Sequence, residues 1–275
     1  ALGTTADADE IKDTANAQPL IVAAGLLSAR ALGIENYSVT SGHSVGELTV
    51  AALSGAISHE DALRLVRARG LEMAKAAAQQ PSGMAAVLGG ERSDVMSALG
   101  GLGLIAANEN GGGQIVAAGE LAALAALAEN PPEGARVRSL SVAGAFHTSY
   151  MQPAVARMKS LSSSVTVHDP RTRVISNRDG AVVHSGRALL DRMIDQIANP
   201  VRWDLCMETL NELGVTAVIE MPPAGTLVGL IKRALPNVET LALKTPDDIP
   251  AALDLIGRHG FASALDNQPT WRMIV

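Results

Sequence analysis

In Gly42-His43-Ser44-Val45-Gly46-Glu47 a serine stands between two glycines, after a short strand-like run and before a helical pattern. That setting suits a nucleophile. A serine on a tight strand-to-helix turn is held in a strained backbone conformation with its hydroxyl exposed. The glycines on either side keep side chains from blocking the turn and the substrate. Val45 opens the following helix, so its backbone N–H can face an oxyanion formed beside Ser44. The plainer alternative is a glycine-rich turn with no chemistry.

A serine hydroxyl near neutral pH needs a base, most often a histidine. The candidates are His43, His59, His147, His168, His184 and His259. His43 neighbours Ser44 and points elsewhere on the turn, as a packing residue. His59 falls at a helix start, and His168, His184 and His259 fall in polar surroundings, as solvated surface residues. His147 differs, because it ends an apolar strand at Gly144-Ala145-Phe146 and precedes Thr148-Ser149. Pattern alone leaves it either a base or a buried structural residue. In the helix read from Glu60, Leu65, Arg69 and Met73 share a stripe, with Leu63, Val66, Gly70 and Ala77 beside it. Arg69 therefore borders the apolar face and needs a partner. That partner is an internal carboxylate or a substrate carboxylate held by the guanidinium fork.

Alternating helical and strand-like segments frame these residues and predict an α/β fold with a largely parallel sheet. Gln18 to Leu32 reads as a helix ending near Gly33, Tyr37 to Thr40 as a strand, and Val45 to Leu53 as a helix stopped by Gly55. Ser58 and Asp61 form a capping pattern for a helix over Glu60 to Ala78. Residues 82–143 read as a unit of their own, βαββαβ, inserted into a main domain made of 1–81 and 144–275. Its strands are Met84 to Leu88, Leu104 to Ala107, Gln114 to Ala118 and Val137 to Val142, with helices Arg92 to Leu99 and Leu121 to Leu127. The main domain resumes with helix Arg187 to Ile197, strand Val215 to Glu220, helix Thr226 to Leu235 and strand Val238 to Leu243. Residues 260–275 carry no assignable pattern.

The bulk properties exclude several classes. The chain has 275 residues, 47% hydrophobic and 18% charged, with a net charge of −6. That is a globular composition without the basic face of a nucleic-acid binder. Trp, Tyr and Phe occur twice each, too few for a base-stacking platform. No apolar stretch approaches the ~20 residues of a membrane helix, and no signal-peptide pattern appears at Ala1. The single cysteine, Cys206, excludes an internal disulfide and fits a reducing compartment, so a cytoplasmic location is expected. No His, Cys or carboxylate cluster has metal-ligand spacing. Gly111-Gly112-Gly113 lacks the Lys-Ser/Thr of a phosphate loop.

Together these residues resemble the malonyl-CoA:acyl-carrier-protein transacylases of bacterial type II fatty-acid synthesis, from about Asp7 to Leu255. The family's Gly-His-Ser-x-Gly-Glu box matches Gly42 to Glu47. Its Arg-Gly and following methionine match Arg69, Gly70 and Met73. Its Gly-Gln-Ile-Val stretch matches Gly113 to Val116, preceded by Asn108 and Asn110. Its Ala-Phe-His element matches Ala145 to His147, and its Gln-x-x-Asn-Pro-Val-x-Trp matches Gln196 to Trp203. The resemblance implies Ser44 as nucleophile, His147 as general base and Val45 as oxyanion donor. It implies Arg69 on the malonyl carboxylate, with Met73, Phe146 and Asn110 at the substrate. Gln196 and Asn199 are implied to orient the histidine in place of an aspartate. It further implies an α/β-hydrolase-like main domain with a ferredoxin-like insert, and ping-pong transfer from malonyl-CoA to the phosphopantetheine thiol of an acyl carrier protein. No cofactor beyond these substrates is expected, and the chain is expected to be a monomer. The family normally begins with a strand and a Gly-Gln-Gly loop carrying a second oxyanion donor. This sequence starts at Ala1-Leu2-Gly3 without it, and the intact downstream boxes favour residues preceding it.

Two rivals remain. An esterase or thioesterase would share the turn but need an acidic partner for the histidine, and Asp94, which fits the order, falls inside the inserted unit. A non-catalytic docking protein would have no use for Ser44, Arg69 and His147 together. Lys232-Arg233 reads either as part of a carrier-docking patch or as a solvated helix end.

Overall fold

The computed structural model describes residues 2–33, 37–142, 144–259 and 271–274. The chain opens with α1 (Leu2–Thr5), α2 (Ala8–Lys12) and α3 (Thr14–Leu32). Asp13 caps α3 by accepting the Ala15 N–H at 2.8 Å, so the helix begins ahead of the expected Gln18. Pro19 biases the residue before it away from helix, and the cap overrides that bias. Gly33 ends α3 in the left-handed region, φ 62. Then come β1 (Val39–Ser41), α4 (Gly46–Leu53) and α5 (His59–Ala77). Ser58 caps α5 by accepting the Asp61 N–H at 2.9 Å, as its sequence predicts.

The next segment is β2 (Ser82–Gly89), α6 (Arg92–Gly101), β3 (Ile105–Gly111), β4 (Gln114–Glu120), α7 (Leu121–Glu129) and β5 (Ala135–Ser139). The chain continues through α8 (Gln152–Ser162), β6 (Arg173–Ile175), β7 (Val182–Val183), α9 (Gly186–Asp195), β8 (Val201–Arg202) and α10 (Trp203–Glu212). It closes with β9 (Val215–Glu220), α11 (Thr226–Ala234), β10 (Glu239–Ala242), α12 (Ile249–His259) and β11 (Trp271–Ile274). The sequence reading did not contain α1, α2, α8, α10, α12, β6, β7 or β8. It also left 260–275 unassigned; β11 lies there, and the other residues of that stretch lie outside the described ones. The predicted strand over 137–142 stops at Ser139, where pairing with Ala85 of β2 ends, and Val142 is exposed.

Among the described residues one sheet has the order β10-β9-β11-β1-β6-β7, parallel except at β6–β7. A second sheet runs β5-β2-β4-β3-β8, antiparallel except where β3 meets β8. The mixed α/β expectation holds. One face of the parallel sheet is covered by α4, α5, α8 and α9 through Val50, Leu65, Met158 and Leu190. The other is covered by α10 and α11 through Trp203, Leu210, Leu230 and Ile231. The second sheet buries Val87, Leu99, Ala117 and Leu127 under α6 and α7. Its opposite face packs Met84, Val116 and Ala118 against Ala145 and Phe146. The turn carrying His147 is thereby wedged beside the second sheet.

Candidate active site

At the end of β1 the chain turns sharply. A Cβ on Gly42 would stand 2.1 Å from the Gly46 carbonyl carbon, so strand end and helix start touch here and only glycine fits. A Cβ on Gly46 meets nothing within 4 Å. The turn itself therefore requires glycine at 42 and not at 46. Ser44 takes φ 52, a left-handed conformation worth ~1–3 kcal/mol of strain in a residue with a side chain. Asn177 and Gln196 hold it there. The Ser44 N–H donates to Asn177 Oδ1 at 2.7 Å, and its carbonyl accepts from Gln196 Nε2 at 3.1 Å. Asn177 Nδ2 donates in turn to the Gly42 carbonyl at 2.8 Å. Val45 caps α4, and its N–H has no hydrogen-bond partner among the described residues. It lines a cleft of about 250 Å³ together with His43, Gly46, Asn110, Pro222 and Leu227.

Among the described residues other than glycine, only Ser44 and His147 have positive φ, the latter 60. His147 does not end a strand. Residues 144–148 form a turn in which the Phe146 N–H donates to the Gly144 carbonyl at 3.1 Å and Thr148 Oγ1 donates to the Ala145 carbonyl at 2.6 Å. The turn directs His147 Nε2 to within 2.7 Å of Ser44 Oγ and Nδ1 to within 2.9 Å of the Gln196 backbone carbonyl. A carbonyl only accepts, so Nδ1 carries the proton and the Nε2 lone pair faces the serine hydroxyl. Burial, then the nearby Arg69 charge, drives the imidazole pKa down to about 3, which keeps it neutral.

Arg69 closes the arrangement. It is 3% exposed; Nη1 donates to Gln18 Oε1, and Nη2 donates to Ser44 Oγ at 3.2 Å and Gln196 Oε1 at 3.0 Å. No ion pair among the described residues includes it, so of the two partners anticipated for Arg69 the internal carboxylate makes no contact. Burial lowers its pKa to about 10, with Glu47 pulling the other way from a distance. Gly70 makes the Gln18 contact possible: a Cβ there would lie 2.9 Å from the Thr14 carbonyl, so α5 and α3 meet backbone to backbone.

Comparison with known proteins identifies the family. The acyl transferase domain family matches residues 4–250. The chain belongs to that family. It is 50% identical over 259 residues to the malonyl CoA-acyl carrier protein transacylase of Mycobacterium tuberculosis, covering 92% of this chain and 86% of that one. The crystal structure of MCAT from Mycobacterium tuberculosis superposes with a TM-score of 0.88 at 50% identity, over 92% of this chain and 85% of that one. A type II PKS acyl-carrier protein in complex with its malonyl-transacylase superposes at 0.84 and 27% identity, over 91% and 83%.

The remaining predicted residues of this acyl transferase are placed unevenly. Asn110 Oδ1 lies 2.9 Å from His43 Nε2, and the His43 ring tilts against Trp203 with centroids 5.6 Å apart, so His43 packs as anticipated. Phe146 is half-buried between two core clusters. Met73 lies in the core with its sulfur 3.5 Å from Gln18 Nε2, behind Gln18 rather than beside Ser44. Asn199 does not reach His147. Its side chain is exposed and donates to the Asp195 carbonyl at 2.7 Å, while its backbone N–H donates to the Gln196 carbonyl at 3.2 Å. The 3-10 turn Gln196–Ala198 after α9 points the Asn199 amide outward. His59, His168 and His184 are exposed, whereas His259 pairs with Glu239 at 2.8 Å and with Thr216. Asp94 sits exposed in the first turn of α6, and Lys232 and Arg233 sit exposed in the last turn of α11.

Three site residues escaped sequence reasoning: Gln18, Glu47 and Asn177. Glu47 lay inside the quoted serine box, Gln18 at the head of a recognised helix, and Asn177 after a strand too short to show a pattern. Burial pushes the Glu47 carboxyl up to about 7, while the Asn177 N–H, the Gln196 amide and the Arg69 charge pull it down. Among the described residues no group of three or more His, Cys, Asp and Glu could hold a metal ion, and no helix is long and apolar enough to cross a membrane.

Proposed function

We propose that the chain moves a malonyl group from malonyl-CoA to the phosphopantetheine thiol of an acyl carrier protein through a malonyl ester on Ser44. One oxygen carries the reading. Ser44 Oγ stands 2.7 Å from His147 Nε2 and 3.2 Å from Arg69 Nη2. Nucleophile, base and a carboxylate-binding cation meet at one atom, and an esterase for neutral substrates has no use for the cation. The malonyl transacylases among the relatives support the same substrate pair.

In the first half-reaction His147 Nε2 takes the Ser44 proton as Oγ adds to the thioester carbonyl. The oxyanion lies toward the Val45 N–H, and the imidazolium donates from Nδ1 to the Gln196 carbonyl. Collapse expels the coenzyme A thiolate, which takes the proton back from His147. In the second half the carrier thiol gives its proton to His147, its sulfur attacks the ester, and Ser44 leaves and is reprotonated. Arg69 holds the free malonyl carboxylate. That anion offsets the guanidinium charge that helps depress His147, so the base strengthens when the correct acyl group binds. Asn110 and Phe146 border the acyl site, Gln196 orients His147, and Met73 contributes through Gln18. No cofactor is needed.

The strand order β5-β2-β4-β3 over a βαββαβ element sequence supports a ferredoxin-like insert at 82–143. The parallel sheet with helices on both faces supports an α/β-hydrolase-like main domain formed by 1–81 and 144–275. The single cysteine supports a cytoplasmic setting, and the chain is taken as a monomer. Intact-mass measurement after mixing with malonyl-CoA tests the central claim. A malonyl adduct should form on the wild type, disappear when phosphopantetheinylated carrier is added, and be absent from Ser44→Ala. An adduct that persists in Ser44→Ala would overturn it.

A further inference from the structure

The reaction above leaves one buried carboxylate without a part. Glu47 is 1% exposed and lies in the first turn of α4, just beyond Ser44. Its Oε1 accepts the Asn177 N–H at 2.7 Å and its Oε2 accepts Gln196 Nε2 at 2.5 Å. Both neighbours touch the reacting set: Asn177 holds the Ser44 N–H, and Gln196 holds Arg69 and His147.

The Gln196 side chain has an oxygen at one end and an NH₂ at the other, and its surroundings allow one orientation. Around Nε2 stand three acceptors: Glu47 Oε2, the Ser44 carbonyl at 3.1 Å and Asn177 Oδ1 at 3.3 Å. Around Oε1 stands a donor, Arg69 Nη2 at 3.0 Å. Turned over, the amide would set its oxygen against the acceptors and its NH₂ against a guanidinium that only donates. Of the three acceptors Glu47 makes the shortest contact.

We infer that Glu47 is a positioning residue: by accepting the Gln196 amide N–H it turns the amide oxygen onto Arg69, and so sets the guanidinium fork for an acyl group that ends in a carboxylate. The inference rests on the malonyl reading of the site and adds to it the origin of the fork's orientation. Arg69 is held by three neutral acceptors, Gln18, Ser44 and Gln196, each of which holds it more weakly than an incoming carboxylate does. Glu47 keeps one of them pointed correctly without contacting the arginine itself. An acidic residue one step removed aligns the cation yet leaves it free to bind substrate.

Glu47→Gln tests the relay. The new amide must place a donor against either the Asn177 N–H or the Gln196 NH₂, and turning Gln196 over relieves the clash at the expense of Arg69. The ratio of kcat/KM for malonyl-CoA over acetyl-CoA, which lacks the distal carboxylate, should fall ~10- to 100-fold, the effect of one hydrogen bond to a charged group. The loss should appear in KM for malonyl-CoA more than in kcat. Thermal melting checks that the variant folds. If it does not, Glu47→Met, which withdraws the acceptor without adding a donor, should lower the same ratio. An unchanged ratio in a folded variant, with both substrates falling together or neither moving, would overturn the inference. A wild type that forms no malonyl ester at all would instead overturn the malonyl reading.

Discussion

At the scale of single residues, Arg69 separates the acyltransferase from its rivals. Arg69→Ala should depress malonyl transfer by orders of magnitude, because a buried charge pair broken on one side costs ~3–5 kcal/mol. Acetyl transfer should hold or rise; equal losses for both would make Arg69 a structural residue. Phe146, next to the base and half-buried, should crowd a branched acyl group. Phe146→Ser should raise the methylmalonyl-to-malonyl ratio of kcat/KM by ~1–3 kcal/mol, the usual worth of a methyl in a pocket. His147 makes a further prediction through stability. Its folded pKa of about 3 lies below the ordinary 6.5, so as pH falls the unfolded chain protonates first. The stability of the neutral imidazole is therefore present above 6.5 and is lost as pH falls toward 3. Glu47 runs the other way: raised from 4.5 to about 7, it contributes below 4.5 and loses that contribution as pH rises through 7. His147→Ala removes only the first dependence. Its melting temperature relative to wild type should climb as pH drops from 6.5 toward 4.5. A difference that stays constant over that window would contradict the assignment.

At the scale of elements, the close crossing of α3 and α5 decides whether Gln18 reaches Arg69. Gly70→Ala would drive a methyl into the Thr14 carbonyl and the Ala15 Cα, 2.9 and 3.1 Å away. Overpacking of that kind costs ~1–3 kcal/mol, and the displaced α3 should raise KM for malonyl-CoA as well as lower the melting temperature. A lower melting temperature with unaltered KM would show that Gln18 does not matter to the substrate. The crossing also shows what the sequence discloses. The Leu65, Arg69, Met73 stripe and the Ser58 cap are local patterns, and both were legible. That Gly70 faces another backbone is a long-range fact with no local sign. The His147 turn misled for a related reason: Gly144 to Phe146 is apolar enough to read as strand, but the last backbone bond to β2 is from Leu140 to the Met84 carbonyl, and the Ala145 N–H donates to the Ser82 hydroxyl instead of to a strand. Asn177 stayed hidden because β6 and β7 are three and two residues long, below any periodicity. Gln196 was found through the resemblance, and its backbone carbonyl, which no side-chain pattern reports, makes the contact with His147.

At the scale of the whole molecule, β11 lies between β9 and β1 and is parallel to both. Nothing in 260–275 announced a strand, because a short segment acquires that role only from the edges it fills. Deleting residues 271–275 should part the sheet beside the serine turn and abolish a cooperative melt; a truncated chain that melts like the parent would show that β11 is dispensable. The βαββαβ insert was legible because each of its elements carries its own period and glycine punctuation. The joint between the sheets was not, since it rests on the two-residue strand β8 and on Glu109, which pairs with Arg92 at 2.7 Å and Arg202 at 3.6 Å. The two left-handed residues have a consequence for the entire chain. Ser44→Gly would release ~1–3 kcal/mol of backbone strain against ~0.5–1 kcal/mol of added chain freedom, while Ser44→Ala would release none. Each net kcal/mol moves the melting point of a chain this size by ~2–4 °C, so the glycine variant should melt above the alanine one. Both variants lose the Oγ contacts with His147 and Arg69 alike, so the difference between them reads the backbone strain at this turn and nothing of the chemistry.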